Sequence, residues 1–374
     1  MRNMCKAGVL GCLLMLFCGC FAKLPASPTP TELGIPLAER YPQSPSSRLA
    51  WDMTVYDGKL YVGGGNYITN AGPVPVCAYD MQAGAWTTEG ELPDEEINRF
   101  LVLDGQLAVP GTDPQGDWSF GNYYVKGKNG WETVRTIPGG VHTFDVTEFE
   151  DKLFAGIGVA RGGTPIRCSA DGGKTFEAVP MVKDGQPIDT TEGECIRTYD
   201  FFIVNDTLYA TLWYENQVQD RLDFDVYRYE NGTFVFLSTW VDKLAQLPLN
   251  NTVIGGKGVF RDTLYFTTGY LFLTSDMQNI QRVQFPHEEV VWDVVATPDA
   301  LYVLTGLEQE EGWRVSVWKN ASGEESDFVE VLRFDYTVPA MSFAVADEGD
   351  TFFFGMGQKD ADHTRNGMVL MCTL

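Results

Sequence analysis

Arg48, Arg99, His142, Arg161 and Arg197 are the residues whose types and spacing most invite a chemical interpretation. Basic groups are scarce in this chain, with 27 Lys and Arg against 51 Asp and Glu, yet these five are all expected on one face of the first four repeats of the chain. Guanidinium groups gathered from several segments suit carboxylates, which they grip through two parallel N–H bonds. Carboxylates of the chain stand near them: Asp52, Asp145, Asp200 and Asp293. His142-x-x-Asp145 and Arg197-x-x-Asp200 share one spacing, and an aromatic precedes each acid in Trp51-Asp52, Phe144-Asp145, Tyr199-Asp200 and Trp292-Asp293. Two interpretations stay open. The acids and bases form a ring that takes a cation, sugar hydroxyls or a substrate carboxylate. Alternatively, the aromatics pack between repeats while each Asp bonds neighbouring amides and pairs with Arg as an internal salt bridge.

Trp213-Tyr214-Glu215-Asn216 is expected to be a loop on the same face, where Tyr67, Trp118 and Tyr270 add aromatic surface for a sugar ring or a protein. No catalytic residue can be assigned. There is no Ser-His-Asp order, phosphate-binding loop or dinucleotide fingerprint. No cofactor or metal is expected, because acidic runs such as Glu91, Asp94, Glu95, Glu96 and Glu308, Glu310, Glu311 lack calcium-loop spacing and read as solvated loops.

A repeated hairpin must position these residues. Val55-Tyr56-Asp57-Gly58-Lys59-Leu60-Tyr61 returns as Val102 to Leu107, Phe149 to Phe154, Val204 to Tyr209, Phe260 to Tyr265, Thr297 to Tyr302 and Asp347 to Phe353. Each is an apolar run, a polar turn and a second apolar run, and Asp-Gly and Asn-Asp favour the left-handed turn of a tight hairpin. The first turn residues are 57, 104, 150, 205, 261, 298 and 349, a period near that of four-stranded propeller blades. The fold class is therefore all-β: a seven-bladed β-propeller of four-stranded antiparallel blades. The last blade runs out one strand short, and Leu33-Gly34-Ile35-Pro36-Leu37 is expected to close the ring from the N-terminal end.

Aligned on the turns, one column reads Asp52, Arg99, Asp145, Asp200, Gly256, Asp293 and Ala344. It begins the innermost strands. Any site should lie on the face where those strands start and the second strands end. The net charge of −24 repels phosphate backbones, so nucleic acid is excluded as a partner.

At the N-terminus, Arg2 and Lys6 precede the apolar stretch Ala7 to Phe17, which is too short to span a membrane. Phe17-Cys18-Gly19-Cys20 resembles a bacterial lipobox, which implies lipidation at Cys20; Phe17 stands where Leu is usual. The expected layout is a signal peptide over 1–19, a lipid-anchored tether over 20–30 and a propeller over 31–374. Cys5, Cys12 and Cys18 lie in the leader and Cys20 begins the tether, while Cys77, Cys168, Cys195 and Cys372 have no disulfide or zinc spacing.

Ser169-Ala170-Asp171-Gly172-Gly173-Lys174-Thr175-Phe176 resembles an Asp-box, the structural turn of sialidase-type and BNR-repeat propellers. The resemblance rests on Ser169, Asp171, Gly173, Thr175 and Phe176, and it implies a turn on the face away from any site. Gly63-Gly64, Tyr79, Trp86 and Leu92-Pro93 resemble one kelch repeat. Sialidases bind a substrate carboxylate with arginines from several blades. The N-terminal Arg-Ile-Pro element of that family is missing here, and Tyr214-Glu215 offers no assignable nucleophile pair. The expected function is an exported, membrane-anchored monomeric binding module for a glycan or protein. Its candidate ligand residues are Arg99, His142, Arg161, Arg197, Trp213, Tyr214, Glu215, Asp52, Asp145, Asp200 and Asp293. A sialidase-like glycoside hydrolase and a scaffold subunit of a membrane complex are the alternatives.

Overall fold

The computed structural model describes residues 27–116, 119–159, 163–188, 196–216, 221–240, 244, 254–346, 349–359 and 361–374. They are almost entirely β-strands and turns. The tight hairpins form as their turn chemistry requires. Both turn residues take positive φ in Asp57-Gly58, Asp104-Gly105, Glu150-Asp151, Asn205-Asp206 and Arg261-Asp262, the twist that lets two strands continue in register.

Five sheets are separate four-stranded meanders: 53–92, 101–138, 257–282, 290–336, and 340–373 completed by Thr31–Gly34. The sixth sheet has eleven strands and contains two further meanders, 142–178 and 201–239. Among the described residues these meanders number seven, and they are numbered here as blades in chain order, from blade 1 at 53–92 to blade 7 at 340–373. The innermost strand of blade 7 packs against that of blade 1, which closes the ring.

Blades 3 and 4 share one sheet because Ile196–Arg197 pairs with the second strand of each, Lys152–Val159 and Thr207–Asn216. A further strand, Met181–Lys183, runs parallel to the outer strand Thr233–Thr239 and covers the edge of blade 4. Flat apolar faces between blades form the core. Between blades 4 and 5, Trp240 stacks on Phe266 at 4.9 Å and on Phe202 at 6.3 Å, burying large aromatic area without a polar penalty, since its Nε1 donates to Met277 O at 2.9 Å.

Three expectations need correction. The closing strand comes from the expected N-terminal stretch, about 31–40, but is Thr31–Gly34 and so starts two residues before Leu33; it pairs antiparallel with Met368–Thr373, and Trp86 Nε1 pins it by donating to Leu33 O at 2.8 Å. Past Gly34 the chain turns, and Leu37 becomes a fully buried plug beside Tyr41 and Cys77. Asp94, Glu95 and Glu96 are not a solvated loop. All three are buried where the chain crosses from blade 1 to blade 2. That crossing is held by Asp94 Oδ1 accepting from Asp113 N at 2.9 Å and Glu95 Oε2 accepting from Gly72 N at 2.6 Å. Gly63 makes room for it, since a Cβ there would stand 2.5 Å from Ile97 O. Lastly, the hairpin of blade 7 is two residues longer than the others, as Val345 pairs with Phe352. Ser342, not Ala344, therefore takes the column position of the ring acids.

Ser169 to Phe176 form a locked turn between the third and fourth strands of blade 3. Asp171 Oδ1 accepts from Thr175 N at 2.9 Å, Asp171 Oδ2 from Thr175 Oγ1 at 2.7 Å, and Gly173 N donates to Ser169 Oγ at 2.9 Å. Phe176 is buried in the core between blades 2 and 3. Blade 5 has a related turn that the sequence did not suggest: Asp276 Oδ1 accepts from Gln278 N at 2.9 Å and Asn279 N at 2.7 Å. These turns lie at the end of the ring opposite the strand starts.

Candidate functional site: an aromatic and basic rim on blades 2 to 4

Residues alternate sharply along the strand starts. Thr143 and Asp145 are buried while His142 and Phe144 are half-exposed; Thr198 and Asp200 are buried while Arg197 and Tyr199 are half-exposed. Strand periodicity thus splits the predicted residues into an inner and an outer set.

The inner set is an ion-pair network. Asp145 and Asp200 are 3% and 0% exposed, so each needs compensation. Arg99 of blade 2 supplies part of it, with Nη1 3.2 Å from Asp145 Oδ2 and Nη2 2.8 Å from Asp200 Oδ1. Lys257 of blade 5 supplies the rest, with Nζ 2.6 Å from Asp145 Oδ2 and 2.9 Å from Asp200 Oδ1. Two cations thus neutralise two buried acids across four blades. Sequence inspection missed Lys257. Blade 5 has Gly255-Gly256 where others have an aromatic and an acid, and the lysine one place on fills the gap.

Three of the acids also latch one blade to the next by accepting a backbone N–H. Asp52 Oδ2 accepts from Phe100 N at 2.6 Å, Asp145 Oδ2 from Phe201 N at 2.9 Å and Asp293 Oδ2 from Phe343 N at 3.1 Å. At the closing seam Ser342 Oγ donates to Ala50 O at 2.6 Å instead. Burial tends to raise Asp200, but the Lys257 and Arg99 charges overcome it and hold the carboxyl below its usual value. Burial also disfavours the charge on Arg99, and Asp200 and Asp145 outweigh it, holding the guanidinium ionised. Asp52 and Asp293 have weaker compensation. Burial pushes Asp52 up to about 6, and burial plus the Asp52 carboxylate pushes Asp293 up to about 8.

The outer set is a rim of rings around one guanidinium. His142 stacks on Phe144 at 5.7 Å, Phe144 meets Tyr199 at 4.3 Å, and Tyr199 meets Trp213 edge-on at 6.0 Å. Arg197 lies over both Phe144 and Trp213, at 5.7 and 5.6 Å from their centroids, and its Nη1 donates to Tyr199 Oη at 2.9 Å. His142 Nδ1 is 2.6 Å from Thr112 O and 3.7 Å from Asp113 Oδ1. Phe120 of blade 2, 44% exposed, lies at the same end of the ring; its neighbour Gly121 sits against Gly140 and Thr143.

Trp213 and Tyr214 do not act together. The segment expected as a loop belongs to the ten-residue strand Thr207–Asn216, so consecutive side chains leave on opposite faces. Trp213 joins the rim. Tyr214 turns to the opposite face of the strand and packs against the core between blades 3 and 4, where Lys183 Nζ is 3.3 Å from its hydroxyl and 2.5 Å from the buried Asp225 Oδ2. Arg48 is on the predicted face but is spent on backbone, its Nε donating to Tyr41 O at 2.7 Å. Arg161, Trp118, Cys195, Cys20 and the Glu215 side chain lie outside the described residues. Cys77, Cys168 and Cys372 are free thiols.

No family model and no curated protein matches the chain. Its fold is similar to solved propeller structures. A chain in the crystal structure of the mitotic checkpoint complex matches at TM-score 0.52 and 10% identity, covering 100% of this chain and 99% of that one. PorZ, described as an essential bacterial surface component of the type-IX secretion system of Porphyromonas gingivalis, matches at TM-score 0.51 and 14% identity over 86% of this chain and 46% of that one. The C-terminal WD40 domain of Sif2 matches at TM-score 0.50 and 8% identity over 95% and 99%. Identities this low speak to the fold alone.

Proposed function

We propose that the protein is an exported, lipid-anchored seven-bladed propeller that works as a binding module, holding a protein or glycan ligand on the rim formed by His142, Phe144, Arg197, Tyr199 and Trp213. The single observation behind this is the division of labour at the strand starts. The acids that a hydrolase would use, Asp52, Asp145, Asp200 and Asp293, each accept a backbone N–H or a buried cation. The rings and Arg197 remain half-exposed beside them. A glycosidase needs two carboxyl groups about 5–10 Å apart flanking its substrate and at liberty to exchange protons. Acids that latch blades together do not suit that role, whereas a rim of rings and one charge suits recognition.

Export and anchoring are supported by the charged and apolar leader and by Cys20. The likeness to a bacterial surface component and to a propeller within a multiprotein complex offers precedent for a surface scaffold. The test is a glycan array, a fluorogenic glycoside panel and cross-linking on intact cells, each run with the full chain and with Trp213→Ala. Capture of a ligand without turnover, lost in Trp213→Ala, supports a binding module. Turnover of any glycoside that disappears in Arg197→Ala overturns it in favour of a hydrolase. Mass spectrometry of the mature N-terminus tests the anchor, and an unmodified terminus near Ala22 sinks lipidation while leaving export standing.

A further inference from the structure

We propose that the turn end of the ring, opposite the rim, is a second docking surface, and that it takes a basic segment of a partner protein with an aliphatic side chain set against Val102, Ile203 and Val259. The inference goes beyond the binding module argued above and does not rest on it. Two observations carry it: apolar surface left open at the axis, and acid gathered around that surface.

The apolar surface follows from register. Three residues along each innermost strand from the column of ring acids stand Val55, Val102, Glu148, Ile203, Val259, Ala296 and Val345. Directly paired residues share one face of a sheet. Val102 pairs with Leu107, Ile203 with Leu208 and Val259 with Leu264. Each of these leucines is fully buried, in a core shared with the preceding blade through Val74, Phe154 and Phe202 respectively. The innermost residue of the same row stands at the axis, past the edge of that cover. Val102 is accordingly 58% exposed, Ile203 37% and Val259 36%. Innermost strands of neighbouring blades pack side by side, which holds these residues at one level of the ring. The level lies one residue pair from the hairpin turns, since Leu103 pairs with Gln106 and Phe260 with Thr263. It is therefore reached from the turn end, while Arg99 and its ion pairs lie about 10 Å nearer the strand starts. Aliphatic surface gathered at one open level marks an interaction site.

Charge identifies the partner. The tight turns around this level carry the exposed acids Asp57, Asp104, Asp151, Asp206, Asp262 and Asp299. Turn geometry asks for a residue that tolerates a left-handed backbone, and it does not ask for charge: Asn205 takes the same conformation at φ 50°. Glu148, the polar member of the column, adds a carboxylate whose Oε2 accepts from Asp104 N at 2.9 Å. The bases close by are offset, with Lys59 Nζ 2.6 Å from Glu89 Oε1 and Lys152 Nζ 3.9 Å from Glu150 Oε2. Arg261 is the one base among the described turn residues. An acidic ring around an aliphatic centre complements Lys or Arg flanking one aliphatic side chain, and it repels an acidic segment or an anionic membrane surface.

The test is selection from a displayed library of random peptides on the full chain, followed by fluorescence anisotropy of the enriched peptides at low and high salt. Peptides with Lys or Arg flanking Leu, Ile or Val should be enriched. Asp104→Asn, Asp206→Asn and Asp262→Asn made together keep residues suited to the left-handed turns. They should weaken the enriched peptides by about tenfold through the lost surface charges, flatten the salt dependence and leave the melting temperature unchanged. Val102→Thr, at the most exposed of the three aliphatic positions and with the β-branch kept, should weaken the same peptides without lowering the melting temperature. Enrichment of acidic or neutral peptides, or of basic peptides indifferent to the triple change, overturns the docking surface. Basic peptides that are lost in Trp213→Ala and kept by the triple variant belong to the rim, which overturns this surface and leaves the binding module standing. Enrichment of no peptide overturns this surface alone, because a glycan held at the rim would still be captured on the array.

Discussion

Arg99 Nη2 donates to Asp200 Oδ1 at 2.8 Å, joining residues 101 apart in sequence and two blades apart in the ring. With Lys257 it makes blades 2, 3, 4 and 5 answer to one electrostatic centre. Breaking one partner of such a centre leaves an uncompensated buried charge. Arg99→Ala should destabilise the protein by roughly 3 kcal/mol, at the low end of the range for broken buried pairs because Lys257 still serves both acids. In urea unfolding, Arg99→Ala combined with Asp200→Asn should lose less than the sum of the two single changes. Strict additivity would show that the pair is not coupled.

The half-compensated acids predict a pH dependence. Asp52 is pushed up to about 6 and Asp293 to about 8, and burial pushes Asp94 and Glu96 up to about 7. A carboxyl raised on folding binds more protons folded than unfolded. Its stabilising contribution is full below the unfolded value near 4 and is lost as pH rises through the folded value. The melting temperature should fall between pH 5.5 and pH 8.5, and Asp293→Asn should flatten that slope. A melting temperature that rises over this range would refute the assignment.

The turn from Ser169 to Phe176 separates two kinds of glycine cost. Gly172 has φ +73° with open space around it, while Gly173 has φ +83° and a Cβ there would lie 2.3 Å from the Tyr123 hydroxyl. Gly172→Ala should cost about 1 kcal/mol, the penalty of a left-handed backbone alone. Gly173→Ala should cost at least about 2 kcal/mol, because overpacking is added. Equal melting temperatures for the two variants would show that the turn yields at Tyr123.

Ring closure can be tested by truncation. A chain beginning at residue 27 keeps Thr31–Gly34 on Met368–Thr373, while one beginning at residue 36 bares that strand. The shorter chain should scatter light on standing and melt at lower temperature, since an open edge templates association. Comparable stability of the two chains would show that the closing strand is dispensable.

Much of the architecture was legible in the sequence. Asp57-Gly58 and Asn205-Asp206 announce tight turns by their own backbone preferences, and their recurrence marks successive meanders. Column alignment on those turns placed Asp52, Arg99, Asp145, Asp200 and Asp293 at one level of the ring, because a strand's rise per residue is nearly constant. It failed in blade 7, where a hairpin longer by two residues shifted the column to Ser342. Hairpin length depends on how the turn bonds itself, as when Ala346 N donates to Thr351 O at 2.9 Å, and residue type did not reveal it.

What the sequence determined by itself is local: strand, turn, period and the side of a strand on which a residue falls. These follow from backbone sterics and alternation, which act over a few residues. Only the tertiary structure decided partners. It gave Arg99 to Asp145 and Asp200, brought Lys257 to the same acids from blade 5, and buried Asp94, Glu95 and Glu96 under a chain crossing. It also parted Trp213 from Tyr214 by extending a strand through them. Such pairings depend on which segments the closed ring brings within about 4 Å, where low dielectric makes a charge costly alone and favourable when matched.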